Sequence, residues 1–199
     1  MKLNKTVIVF LLLAYLTFNK IIFDFFVADL SSTFGKKILT NGEISQANEY
    51  LVAAGHLNEY EPTYKRNKAL MYLSIALSGM LNEEEVVAIK KKAYEELKVA
   101  YTLQPINLVN LKSLIPMYYF LSLKDISDPT KGYDEEYRSQ AIIFFRQIRD
   151  AAPTDADLAL SIGKNLKLLG AKEDARKSLE RAVSLKPDMT DARIELESL

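Results

Sequence analysis

The chain has 199 residues, with 26 Lys plus Arg against 26 Asp plus Glu, so no global field points to nucleic acid or to an acidic surface. It has no cysteine, which excludes disulfides, thiolate metal sites and a cysteine nucleophile.

The first element is apolar. MKLNK precedes VIVFLLLAYLTF (7–18), and the run resumes as IIFDFFVADL after Asn19 and Lys20. A helix from Lys5 to Asp24 rises about 28 Å, close to the ~30 Å hydrocarbon core of a bilayer. Lys20 then snorkels outward and Asp24, four residues on, shares the interface with it. A cleaved signal peptide is the rival reading, but Phe26-Val27-Ala28 is a poor small-x-small site. Residues 1–27 are therefore expected to be an uncleaved anchor, with 6–27 in the membrane. Lys2 and Lys5 favour a cytoplasmic N-terminus, although Lys20, Lys36 and Lys37 beyond the run blunt that asymmetry.

Residues 28–61 follow at once and carry Phe34, Gly35, Ile38, Gly42, Ala47, Leu51, Ala54 and Leu57. The same spacing returns in 156–189 as Ile162, Gly163, Leu166, Gly170, Ala175, Leu179, Ala182, Leu185 and Pro187. Two amphipathic helices joined at the second glycine explain it. The first glycine permits close helix contact, the second supplies a left-handed turn, and Pro187 stops the second helix. Between these copies, Ala93, Leu97, Ala100, Leu103 and Pro105 stand in the register of a second helix, as do Ala141, Phe145, Ile148 and Pro153. Their first helices are PTYKRNKALMYLSIAL (62–77) and NLVNLKSLIPMYYFLSL (107–123), the latter kinked or missing a hydrogen bond at Pro116. Units 62–107 and 108–155 carry insertions: SGMLNEEEVVAIKK extends a helix, and KDISDPTKGY is a loop. Glu83 to Glu85 suit a helix N-terminus, and Thr154 with Asp157 predicts a capping-box-like start. TDARIELESL (190–199) is a capping helix.

This spacing resembles the tetratricopeptide repeat (TPR), a 34-residue helix–turn–helix unit. The resemblance implies an all-α fold: a right-handed α-α superhelix of about four units behind one transmembrane helix. Glu59 replaces the first unit's closing proline, and the usual tryptophan is missing throughout.

Catalysis finds little support. His56, the only histidine, sits near a helix end, and there is no serine elbow and no Gly-rich phosphate loop. Asp125, Asp128 and Asp134 read as solvated loop carboxylates rather than calcium ligands. No cofactor and no metal are expected. In TPR proteins the first helices line a concave groove, and the resemblance places Lys36, Arg66, Leu70, Lys112, Tyr119, Phe120, Lys164 and Lys167 along it. Such a surface suits an extended or helical peptide with acidic groups. A specific Lys/Asn carboxylate clamp of chaperone-type members is matched only at Asn67.

The order of segments adds a second resemblance. An apolar span, an immediate first repeat, NEYEPTYKRNKAL, NLVNLKSLIPMYYFLS and APTDADLALSIGKNLKLLG are similar to the extracytoplasmic tail of bacterial O-antigen ligase and polymerase family proteins. That implies a single-pass scaffold at the bacterial inner membrane with its repeats outside the cytoplasm, binding a protein or peptide. The partner would be a multi-spanning membrane protein of glycan assembly. A non-catalytic tail or subunit of such an enzyme, and a cytosol-facing import receptor, are the alternatives.

Overall fold

The computed structural model describes residues 5–199. Lys2, part of the expected basic start, lies outside the described residues. Helix α1 runs unbroken from Lys5 to Thr40, 36 residues or about 54 Å. No glycine or proline interrupts it before Gly35, so nothing in its sequence ends the helix between the apolar run and the first repeat. The expected boundary at 27/28 is a change of burial within one helix, since Ala28 is the first of its residues to be buried.

Four hairpins follow the predicted pairing: α1 with α2 (Ile44–Leu57), α3 (Pro62–Leu77) with α4 (Glu83–Leu103), α5 (Leu108–Ser122) with α6 (Glu135–Ala151), and α7 (Ala156–Leu168) with α8 (Lys172–Leu185). Helix α9 (Thr190–Glu197) packs on the last pair. The first helices also pack on one another in the order α1, α3, α5, α7 and α9, which makes the array one curved layer of stacked hairpins.

The register of small residues is the reason. Ala47, Ala93, Ala141 and Ala175 are each 0% exposed, as are Leu51, Leu97, Phe145 and Leu179 one turn later. Alanine lets the neighbouring helix approach, and the large residue fills the space beside it. Gly35 and Gly163 serve the same packing in the outer units. A Cβ on Gly163 would meet Leu179 Cγ at 2.6 Å, and one on Gly35 would meet Leu51 Cγ at 2.8 Å. Gly42 and Gly170 close the hairpins at φ +85° and +74°, where a side chain is strained.

The insertions go where they were expected. Asn82 and Glu85 form a reciprocal capping box, and α4 reaches 21 residues against 14 in α2. The 123–134 segment is a loop with a short 3-10 turn, Pro129–Lys131, pinned by one antiparallel bridge between Leu123 and Tyr133. Helix α5 continues through Pro116, which has no N–H to donate to the Lys112 carbonyl. One cap differs from expectation. Asp155, not Thr154, caps α7 by accepting from the Leu158 N–H at 2.7 Å. A carboxylate one residue later fits the first exposed N–H groups and also reaches Lys112.

Candidate functional site

The concave face is built by the first helices. On α5, Val109, Lys112, Pro116 and Phe120 form one exposed stripe, and on α7 Asp157, Lys164, Lys167 and Leu168 continue it, with Lys164 and Lys167 half-buried. Side-chain contacts bridge adjacent first helices here: Arg66 Nη1 donates to Asn110 Oδ1 at 2.6 Å, and Lys112 Nζ lies 2.8 Å from Asp155. Arg66, Lys112, Lys164 and Lys167 thus lie on neighbouring first helices, and their charges are mostly engaged. Lys167 Nζ lies 2.8 Å from Glu195 of α9, and Lys164 is 3.7 Å from Asp191 and 3.9 Å from Glu195. Arg66 is half-buried, and burial lowers its pKa against the opposing pull of Glu61. Leu70 packs partly buried on the first unit's core, while Tyr119 and the exposed Phe120 meet edge to face at 5.6 Å.

Lys36 differs. It is exposed and, like Lys37, has no ion-pair partner among the described residues. Both line a cavity of about 630 Å³ between α1 and α3, with Asp29, Ser32, Glu61 and Asn67. Its floor is made of polar links the sequence reading missed. Tyr64 Oη donates to Asp29 at 2.5 Å, and the Asn67 amide donates to Ser32 Oγ at 2.9 Å. Asn67, the one match to a carboxylate clamp, is thus buried and spent on holding α3 to α1. At its α1 end the groove holds two lysines without ion-pair partners, Lys36 and Lys37, beside the carboxylates of Asp29 and Glu61, and from α5 onward its lysines are ion-paired and its exposed side chains apolar.

A second cavity, about 780 Å³, opens between the two insertions, with Leu81, Val86, Val87, Lys90, Ile126 and Lys131 among its walls. Lys90 is 2% exposed. Its Nζ donates to the Leu123 carbonyl at 2.9 Å, faces Asp134 at 3.4 Å and stands 5.0 Å over the Tyr137 ring. Burial lowers its pKa, opposed by Asp134. The sequence held a signal for this: Lys90 occupies the stripe Val86, Lys90, Ala93, Leu97, Ala100, a buried register. Asp125 is held well below the usual carboxylate range by Lys131 and Ser127, and Asp128 caps the 3-10 turn. No group of three His, Cys, Asp or Glu able to hold a metal occurs among the described residues. His56 is exposed in the last turn of α2.

Two buried tyrosines are expected to make this fold sensitive to alkali. Burial raises Tyr64, and the bond to Asp29 raises it further; burial raises Tyr118, stacked 4.1 Å from Phe144. An unfolded tyrosine ionises near pH 10, so the stability these groups contribute is full below about pH 10 and is lost above it. The melting temperature should fall steeply above about pH 10, and less steeply in Tyr118→Phe.

The fold is that of the TPR class, a superhelix of stacked helical hairpins. Among solved structures the chain is similar to a thermophilic TPR protein of Thermus thermophilus, at 21% identity and TM-score 0.52, over 86% of this chain and 80% of that one. YrrB, described as a TPR protein with an unusual peptide-binding site, aligns at 16% identity and TM-score 0.39, over 85% of this chain and 91% of that one. Searches of protein families and of curated proteins give no match.

Proposed function

We propose that this chain is a membrane-anchored TPR scaffold that holds a protein or peptide in its concave groove on the extracytoplasmic side of a bacterial inner membrane. The observation that carries the reading is α1. Its apolar window buries nothing against the rest of the chain, unlike the core helix of a water-soluble fold, while Ala28, Ser32, Gly35 and Leu39 of the same helix are packed into the first repeat. Lys20 reaches outward to Asp24 at 2.5 Å, an arrangement that suits an interface there. With no linker between span and repeat, the groove is held at a fixed height and angle above the bilayer.

The pairing of Lys112, Lys164 and Lys167 favours a ligand that anchors through apolar side chains on Val109, Phe120 and Leu168. An acidic group would go to Lys36 and Lys37. Charge reversal at Lys112 is a poor probe, because it would set a carboxylate against Asp155. The cleaner test is Val109→Glu with Phe120→Glu in the full chain embedded in nanodiscs and probed with an array of extended peptides. Retention should drop about tenfold or more at unchanged helicity, as loss of two apolar anchors implies. Equal retention would place binding elsewhere.

A tail or non-catalytic subunit of an O-antigen ligase or polymerase type enzyme is the second reading. The linker-free continuity of α1 favours it, since that suits a domain following a last membrane span. It predicts co-purification with a multi-spanning membrane protein. Protease attack on the repeats from the cytosolic side would oppose both extracytoplasmic versions.

A further inference from the structure

We infer that the face of α1 turned away from the repeats is a parallel self-association seam, joining two copies of this chain within and just above the membrane. The inference rests on the anchor reading given above. Val9, Leu12, Leu16, Asn19, Phe23, Phe26 and Leu30 follow alternating steps of three and four residues, the a/d spacing of a left-handed coiled coil. The six apolar members are 46–64% exposed. Ala28, Ser32, Gly35 and Leu39 point the opposite way and are filled by the repeats, which leaves this face from Val9 to Leu30 open to a second copy.

Three observations select a second copy as the occupant. The seam carries no charge from Val9 to Leu30, and the next a position is Lys37, whose like charge ends it. Its one polar side chain is an amide, a donor and an acceptor at once, and hence complementary to itself across a two-fold. The Asn19 amide N–H donates to the Tyr15 carbonyl at 2.7 Å, but no donor reaches its Oδ1 among the described residues. Asn19 lies about 7.5 Å inside Asp24, within hydrocarbon, where the copy's amide can supply that donor and fix the register. The stripe also outruns lipid. Leu30 stands about 9 Å beyond Asp24, whereas the headgroup layer is roughly 5–7 Å thick.

The cysteine-free chain makes the test direct. Full-length Phe23→Cys and Phe26→Cys variants, with Phe18→Cys and Phe25→Cys as off-seam controls, are reconstituted in phosphatidylethanolamine/phosphatidylglycerol vesicles and oxidised. Disulfide dimers, at twice 22.6 kDa, should form at positions 23 and 26 at least fivefold more than at 18 and 25. Adding Asn19→Leu to Phe26→Cys should cut the dimer several-fold, and Asn19→Gln should retain it. Equal crosslinking at all four positions, or none, would overturn the seam, as would disulfides at 23 and 26 to a different protein in native membranes. Flotation of the same vesicles separates the two readings. A chain that floats without seam-specific disulfides refutes only the seam, and one that does not float refutes the anchor and the seam together.

Discussion

Phe145→Ala is expected to cost about 3–5 kcal/mol and to split the array's unfolding into two steps. Phe145 is fully buried at the junction of the third unit, in one cluster with Leu114, Tyr118, Ile148, Leu158 and Ile162. It stands where the repeat pattern puts a leucine, at the place Leu51, Leu97 and Leu179 take in the other units. Its ring lies 5.9 Å from Phe144, which stacks on Tyr118. Truncation opens a cavity that helices fixed by neighbours on both sides close only in part. Because each hairpin is stabilised by its neighbours, loss at the third unit should uncouple the fourth, and two transitions should replace one in a urea melt followed by circular dichroism. Ile143→Ala, on the exposed side of the same helix, should leave the melt within about 0.5 kcal/mol of wild type.

The second large effect belongs to Lys90 and Asp134. Asp134 caps α6 and faces the buried ammonium, so Asp134→Ala removes a cap and leaves a desolvated charge with only a carbonyl and a ring. The loss should be about 3 kcal/mol, discounted from the fully buried case because Asp134 keeps contact with water. Asp134→Asn retains the cap and should recover about 1 kcal/mol of it. Lys90→Met removes the charge itself and should fall within about 1 kcal/mol of wild type. Denaturant melts of the three variants check the order. A Lys90→Met variant worse than Asp134→Ala would mean the ammonium is a net stabiliser of the insertion loop.

The hairpins were legible because their packing is written in residue size. Gly35 and Gly163 stand where a leucine side chain of the paired helix leaves no room for a Cβ, the alanines at 47, 93, 141 and 175 are fully buried, and that constraint survives translation into a spacing. The electrostatics of the groove were less legible. Lys112 meets a cap carboxylate on α7, and Lys167 meets Glu195 on α9, partners 43 and 28 residues away by number that no local pattern connects. The continuity of α1 was half legible. Asn19 and Lys20 look like an interruption of the apolar run, yet neither breaks a helix, and the change at Ala28 is one of burial alone.

The measurement that bears most directly on this account is photo-crosslinking from single benzophenone side chains placed in the full chain in its host cells. Position 120 samples the concave face, and position 143 the exposed side of α6. Adducts to one defined protein from position 120, with few or none from 143, are the predicted result. Adducts from 143 and none from 120 would contradict a scaffold that works through its groove.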